Sequence, residues 1–239
     1  MQLLDLTLAT PEENLALDEA LLEQAEARAG PVETLRIWES PEPCVVLGRS
    51  SHAAVEVDLD FCRQRRIRVL RRTSGGAAVL IGPGTLMFSV VLSYELRPAL
   101  VAIDQAHCEV LQTTLRAIAP LAPRAVRAGT SDLAIDGRKF SGNSLRCKRR
   151  HLLYHGTLLY AADLALLASC LAMPPRQPDY RQNRPHTSFV TNLAVGAASL
   201  RQALIAAWDA TEAAPAWPRE HVAQLVANRY RRAEWNEQR

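Results

Sequence analysis

Between residues 34 and 93 the chain carries five strand-like runs, TLRIWES (34–40), PCVVLGR (43–49), IRVLRRTS (67–74), AAVLI (77–81) and LMFSVVLS (86–93), broken by one short helical stretch over 58–66. Runs this short and this close, rich in branched apolar residues and bounded by Gly, Pro and Ser, pair into a sheet. Ahead of them, Thr10-Pro11-Glu12-Glu13 is a capping box with proline at the first helical position. Leu17, Ala20, Leu21 and Ala25 fall on one face, which predicts a helix ending near Gly30-Pro31. A second long helix is expected from about 99 to 119, closing before Pro120. DLAID, the turn dipeptide Asp136-Gly137, RKFSGNSLRC and HLLYHGTLLYA then predict an antiparallel meander. A short helix over 163–172, a proline-rich polar loop over 174–185 and helices over about 198–213 and 218–234 complete the reading. The fold class expected is α+β, a central mixed and largely antiparallel sheet flanked by helices.

With 239 residues, 48% of them hydrophobic, the chain can build a sizeable core without disulfides or a structural metal. Its longest apolar stretch, 77–92, is cut by Gly82-Pro83-Gly84 and falls short of the roughly 20 residues that span a bilayer. The opening residues have acids where a leader would have bases, so a cytoplasmic location is expected. Five scattered cysteines without a C-x-x-C pair indicate neither a disulfide framework nor a zinc site. The net charge, 28 − 25 = +3, is too small to argue for nucleic acid. Arginines do bunch over 63–72, and Arg146, Lys148, Arg149 and Arg150 form a second basic group. Both read either as local anion-binding sites or as solvated turns.

Three segments hold residues suited to chemistry. In Arg71-Arg72-Thr73-Ser74-Gly75-Gly76-Ala77-Ala78-Val79 a strand ends in two arginines and enters a small-residue turn. Backbone N–H groups there can approach a phosphate while two guanidiniums face it; a tight turn with two surface arginines fits equally. Neither a Walker A loop nor a dinucleotide fingerprint is present. In the second segment Lys139 follows the Asp136-Gly137 turn, Phe140 should point away, and Lys139 and Ser141 share a face; Gly142 and Asn143 suggest close backbone approach. A lysine so held could neutralise a phosphate and polarise a carbonyl, or simply be a solvated hairpin lysine. In the third, His151 and His155 share a strand face with no third metal ligand in view, so a substrate-orienting or structural histidine is expected and no metal site. No serine has the G-x-S-x-G context of a hydrolase nucleophile.

Taken in order and spacing, NLALDEALL (14–22), VVLGR (45–49), RRTSGGAAV, DLAIDGRKFSGNS and HGTLLYAADLALLASCL followed by Thr191-Asn192-Leu193 resemble the lipoate-protein ligase family, within the biotin and lipoate protein ligase superfamily. The resemblance implies a single catalytic domain over 1–239, with about 195–239 as a short helical extension. It also implies that lipoate or octanoate is activated by magnesium ATP to an acyl adenylate and passed to a lysine of a carrier. That carrier would be an E2 lipoyl domain, a glycine-cleavage H-protein or a related protein, and the basic group at 146–150 could steer it. By the same resemblance Lys139 is catalytic, and Arg72, Ser74, Gly75, Gly76, Ala77, Ala78, Val79 and Leu80 border the adenylate. Arg49, Asp132, Ser141, Gly142, Asn143, His155, Gly156 and Thr157 would line the substrate pocket.

Two departures stand out. The family loop usually has a third glycine and then a histidine-containing turn, where this chain has Ala77 and Ile81, and Ile81 is expected to remove a polar group. Only about 46 residues follow Leu193, too few for the family's accessory domain, so the resemblance leaves two expectations: a separate accessory subunit supplies that part, or activation is lost. Three alternatives remain: a transferase working through a cysteine thioester, a non-catalytic lipoyl-binding module, and a biotin ligase. The transferase needs an activated thiol near the lysine, and no cysteine lies between Cys108 and Cys147.

Overall fold

The computed structural model describes residues 1–214 and 216–237; Pro215, Gln238 and Arg239, the last two within the expected helical extension, lie outside the described residues. In chain order the elements are β1 (Gln2–Asp5), α1 (Pro11–Ala27), β2 (Thr34–Glu39), β3 (Cys44–Leu47), α2 (Ala53–Glu56), α3 (Leu59–Gln64), β4 (Arg68–Arg71), β5 (Val79–Ile81) and β6 (Thr85–Ser93). There follow α4 (Ile103–Ile118), β7 (Val126–Ala128), β8 (Asp132–Ile135), β9 (Arg138–Cys147), β10 (His151–Leu159), α5 (Leu164–Cys170), α6 (His186–Phe189), α7 (Ala197–Ala207), β11 (Glu212–Ala213), α8 (Arg219–Leu225) and α9 (Ala233–Asn236). Among the described residues one sheet runs β11-β1-β2-β6-β10-β9-β8-β7, and a smaller one runs β4-β3-β5. Only β1 pairs in parallel within the large sheet, with β2 and β11, so the α+β class with a largely antiparallel sheet holds.

Alternation along the central strands sorts the core into two layers. Leu35 and Ile37, Phe88, Val90 and Leu92, and Leu152, Tyr154 and Leu158 face one side, where α4 and α7 supply Val110, Leu111, Leu200 and Leu204. Trp38, Met87, Val91 and Leu153 face the other and pack on Leu15, Leu17 and Leu22 of α1 with Val222 of α8. The small sheet makes a third cluster with α3, α5 and α6 through Val45, Leu47, Leu80, Cys62, Leu167, Cys170 and Phe189.

Helix α1 starts where the capping box places it: the Thr10 hydroxyl accepts from Glu13 N–H and the Glu13 carboxylate accepts from Thr10 N–H. One polar network ties it to the sheet. The Arg36 guanidinium donates to Asp18 Oδ1 and to Asn14 Oδ1, both at 2.6 Å, and Ser89 Oγ donates to Asp18 Oδ1 at 2.8 Å. His155 Nδ1 stands 3.9 Å from Asp18 Oδ2. Arg36, Asp18 and Ser89 are all buried.

Three expectations need correction at their edges. Helix α7 stops at Ala207 rather than 213, because Asp209 adopts φ 46° and Ala210 N–H returns to Ile205 C=O in a left-handed cap. The helix expected over 218–234 is broken: after α8 a π-turn over Val226–Tyr230 ends it and α9 restarts at Ala233. Strands β1, β7 and β11, of four, three and two residues, and helices α2 and α6, of four residues each, had no legible signal.

Burial pushes the Asp18 carboxyl up, but the Arg36 guanidinium and His155 outweigh it, and the net shift is downward from 3.8. A depressed carboxyl contributes stability that is complete above the unfolded value and is lost as pH falls through the lower folded one. Asp18→Asn, which strands the buried Arg36 charge, is therefore expected to cost about 3–5 kcal/mol in urea unfolding at neutral pH. It should also remove the part of the acid destabilisation that develops below pH 3.8. Gly84 has φ 86°, and a Cβ there would lie 2.2 Å from the Ala161 carbonyl. Gly84→Ala should lower stability by at least about 1 kcal/mol in the same assay.

Candidate active site

The segment 72–78 leaves β4 and enters β5 as a loop held from beneath. Successive strand residues point to opposite sides, so Arg71 and Arg72 do not converge on one ligand as expected. Arg71 is fully buried and donates to the carbonyls of Gly48 and Ser51, each at 2.8 Å. Arg72 donates from Nε to Ser74 Oγ at 3.0 Å, from Nη1 to Val46 O at 3.0 Å, and from Nη2 to Gly75 O and Ala77 O at 2.5 and 3.1 Å. Burial lowers its pKa to about 10, with Glu56 opposing, so it stays charged at neutral pH. Its guanidinium is thus spent mostly on its own loop.

That commitment shapes the loop. In a trans peptide C=O and N–H point opposite ways, so turning the Gly75 and Ala77 carbonyls onto Arg72 turns the N–H groups of Gly76 and Ala78 outward. Gly76 needs φ 88°, and a Cβ on Gly48 would lie 1.8 Å from Gly76 O: the turn at 48–51 packs backbone to backbone on the loop. Arg49 N–H donates to Ser74 O at 2.8 Å and Ser51 Oγ to Gly76 O at 3.1 Å. Gly75, Gly76 and Ala77 remain exposed. Ala78 N–H is held by Glu56 Oε2 at 2.7 Å. Ser74 Oγ lies 2.6 Å from His155 Nε2, joining the loop to the Asp18 network. This Ser-His-Asp order is buried, and its serine accepts from Arg72, so it braces the loop.

On the lysine hairpin, Asp136 and Gly137 both have positive φ, 51° and 71°, as a two-residue primed turn requires. A register shift at Leu133/Ala134 lets Lys139 and Ser141 open on one cavity while Phe140 enters the core. Lys139 Nζ pairs with Asp132 Oδ1 at 2.8 Å, and the phenol of Tyr180 donates to Asp132 Oδ2 at 2.8 Å. Burial and Asp132 together push that phenol well up. A Cβ at Gly142 would come 2.9 Å from Lys139 Nζ, so glycine there makes room for the ammonium.

The cavity, about 130 Å³, is lined by the apolar Leu159, Leu167, Leu171, Phe189 and Val190 and by the charged Glu56, Asp132, Lys139 and Arg176. Of the residues expected at a site, Ala77, Ala78, Val79, Leu80, Asp132, Lys139, Ser141, Gly142 and Thr157 line it. Arg72, Ser74, Gly75, Gly76, Asn143, His155 and Gly156 do not. They form or support its walls: Asn143 Nδ2 donates to Ser141 Oγ at 3.0 Å, and a Cβ on Gly156 would lie 1.8 Å from Asn143 Oδ1. Arg49 is exposed outside the lining and contributes backbone contacts. Ile81 packs in the core against α1 and borders no cavity, so this departure removes no polar group from the site. Glu56, Tyr180 and Arg176 went unnamed by sequence reasoning; the last two lie in the proline-rich polar loop over 174–185. No cysteine lines the cavity; Cys170 is buried beside Cys62 and burial pushes it up to about 12, while Cys147 is exposed elsewhere. His151 faces Glu26, and among the described residues no three His, Cys, Asp or Glu side chains group to hold a metal. In the basic turn Lys148 pairs with Glu23, while the Glu26 carboxylate accepts from the Arg150 backbone N–H and the Arg150 guanidinium donates to the Glu26 carbonyl.

Comparison with known proteins follows the same lines. The chain is 30% identical over 161 residues to a protein named probable lipoate-protein ligase A of Mycoplasma pneumoniae, covering 67% of this chain and 46% of that protein. It is 24% identical to lipoate-protein ligase LplJ of Bacillus subtilis, covering 77% and 53%. The chain thus spans about half the length of these curated relatives. In fold it is similar to a bi-partite lipoate protein ligase of Thermoplasma acidophilum, with TM-score 0.82 and 24% identity over 99% of this chain and 95% of that one. It is equally similar to a lipoate-protein ligase A solved with ATP, with TM-score 0.83 and 24% identity over 99% and 98%. Residues 10–207 match the lipoyl protein ligase A/B catalytic domain, and the chain belongs to that family.

Proposed function

We propose that the chain is a catalytic domain that activates lipoate or octanoate with ATP and transfers the acyl group to a lysine of a lipoyl carrier. The observation that carries this reading is the placing of one lysine, paired only with Asp132, where an apolar cavity meets a loop with outward N–H groups. An acyl adenylate has that shape and charge: an apolar tail, an electrophilic carbonyl and an anionic phosphate beside it. In the first step the substrate carboxylate attacks the α-phosphorus of ATP and pyrophosphate leaves. In the second, the carrier amine attacks the acyl carbonyl, an amide forms, a proton is lost and AMP departs. Lys139 stabilises charge on the phosphate and on the carbonyl oxygen in both steps. The loop over 72–78 offers N–H donors fixed in advance by Arg72. Magnesium enters as the counter-ion of ATP.

The relatives named as ligases support the activity, and the Thermoplasma ligase described with its E2 lipoyl domain supports a lipoyl domain as partner. Its bi-partite nature supports a separate second subunit here as well. No helix of the described residues is long and apolar enough to cross a membrane. On this reading the chain acts as one catalytic domain where cytoplasmic ATP is available. A transferase working through a thioester is disfavoured because the cavity presents no thiol to receive the acyl group.

The test is mass spectrometry of an apo lipoyl domain incubated with the protein, lipoate, magnesium and ATP. ATP-dependent gain of one lipoyl mass is expected; transfer only from an octanoyl carrier protein would replace the ligase by the transferase. Lys139→Ala should lower the rate at least about 100-fold while unfolding at the wild-type temperature. A fully active variant would remove Lys139 from the mechanism.

A further inference from the structure

The family match ends at residue 207, yet four hydrogen bonds to Arg71, the strand residue that leads into the loop over 72–78, come from beyond it. Trp235 and Asn236 of α9 enclose Arg71. Arg71 N–H donates to Asn236 Oδ1 at 3.0 Å, its Nε donates to Trp235 O at 3.0 Å, and its Nη2 donates to Asn236 O at 3.1 Å. Trp235 Nε1 returns a bond to Arg71 O at 2.8 Å. The remaining donors of the same guanidinium hold the carbonyls of Gly48, Arg49 and Ser51. That turn is the floor on which Gly76 rests.

The segment is anchored at its other end too. Tyr230 OH donates to Glu19 Oε2 of α1 at 2.8 Å, Arg229 pairs with the same carboxylate, and Asn236 Nδ2 donates to Tyr230 O at 2.9 Å. A continuous path thus runs from α1 through Tyr230 and Asn236 to Arg71 and the turn at 48–51. Trp235 and Asn236 line no part of the cavity.

From this path we infer that α9 is a positioning element for nucleotide phosphate: Trp235 and Asn236 set Arg71, Arg71 sets the turn at 48–51, and the turn holds the Ser74 and Gly76 carbonyls and so directs the N–H groups of Gly75 and Ala77. The inference rests on the ligase reading for the identity of the anion. Small displacements of a preorganised donor set weaken recognition strongly, whereas α9 contributes no residue to the lining of the cavity.

The experiment uses the full chain with Asn236→Ala, Trp235→Phe and Asn236→Asp, the last keeping an acceptor for Arg71 N–H. Calorimetry measures binding of magnesium ATP and of lipoate separately, and hydrogen exchange follows residues 48–51 and 74–77. Asn236→Ala should weaken ATP about tenfold, leave lipoate within about twofold, and raise exchange in both segments but not in β10. Asn236→Asp should recover most of the ATP affinity. Trp235→Phe, which keeps the ring packing, should show a smaller loss of the same kind and serves if Asn236→Ala fails to fold. Unchanged ATP affinity with unchanged exchange would overturn the inference, as would equal weakening of both ligands. If wild type binds no ATP, the ligase reading falls, while exchange at 48–51 and 74–77 still decides whether α9 sets the loop.

Discussion

The buried carboxylate of Asp18 is the point through which helix, sheet and loop are fixed relative to one another. Arg36 reaches it from β2, Ser89 from β6 and His155 from β10. Those strands are adjacent in the sheet, in the order β2-β6-β10, so one side chain of α1 is tied to three neighbours at once. A charge pair taken out of water is costly unless its remaining donors and acceptors are met, and such pairs tolerate few alternative arrangements. From His155 the network passes to Ser74 and Arg72. A loop of small residues, floppy by composition, is thereby held in one conformation by groups that begin on the first helix.

The cationic residues divide the work accordingly. Arg71 and Arg72 face inward and organise backbone, whereas Lys139 lines the cavity, as Arg176 and Arg181 do. Two carboxylates hold donors at this site: Asp132 on Lys139 and Glu56 on Ala78 N–H. An arriving phosphate would therefore exchange one anionic partner for another instead of meeting an unsatisfied buried donor. Tyr180 shares Asp132, so the loop over 174–185 is coupled to the state of the lysine.

What could be read in the sequence was what local chemistry decides. The Thr10 cap, the Asp136-Gly137 turn and the alternation in β2, β6 and β10 each follow from a few neighbouring residues, and each was legible. Helix α7 hid its end because an aspartate takes the left-handed position that glycine usually marks. Strands β1 and β11 pair across some 210 positions, and two or four residues carry too little pattern to announce that. At the site, the lysine and the glycine loop were visible by type and spacing. The inward turn of Arg71 was not, because its contacts reach as far as 165 positions, nor the pairing of Lys148 with Glu23 across 125 positions.

The two departures from the family's loop pattern have unequal weight for the same reason. Ile81 pairs with Cys44 across the small sheet and is buried against α1, so a larger apolar residue there is a matter of packing. Ala77 is different: it is exposed, lines the cavity, and gives its carbonyl to Arg72. Its added methyl therefore stands on the ligand side of a loop whose peptide plane is already fixed. A methyl in that place narrows the approach of a phosphate to the backbone without altering the donor directions. On the proposed function, recognition would then lean more on Lys139 and on how firmly the turn at 48–51, bonded to Arg71 outside the cavity lining, holds the loop.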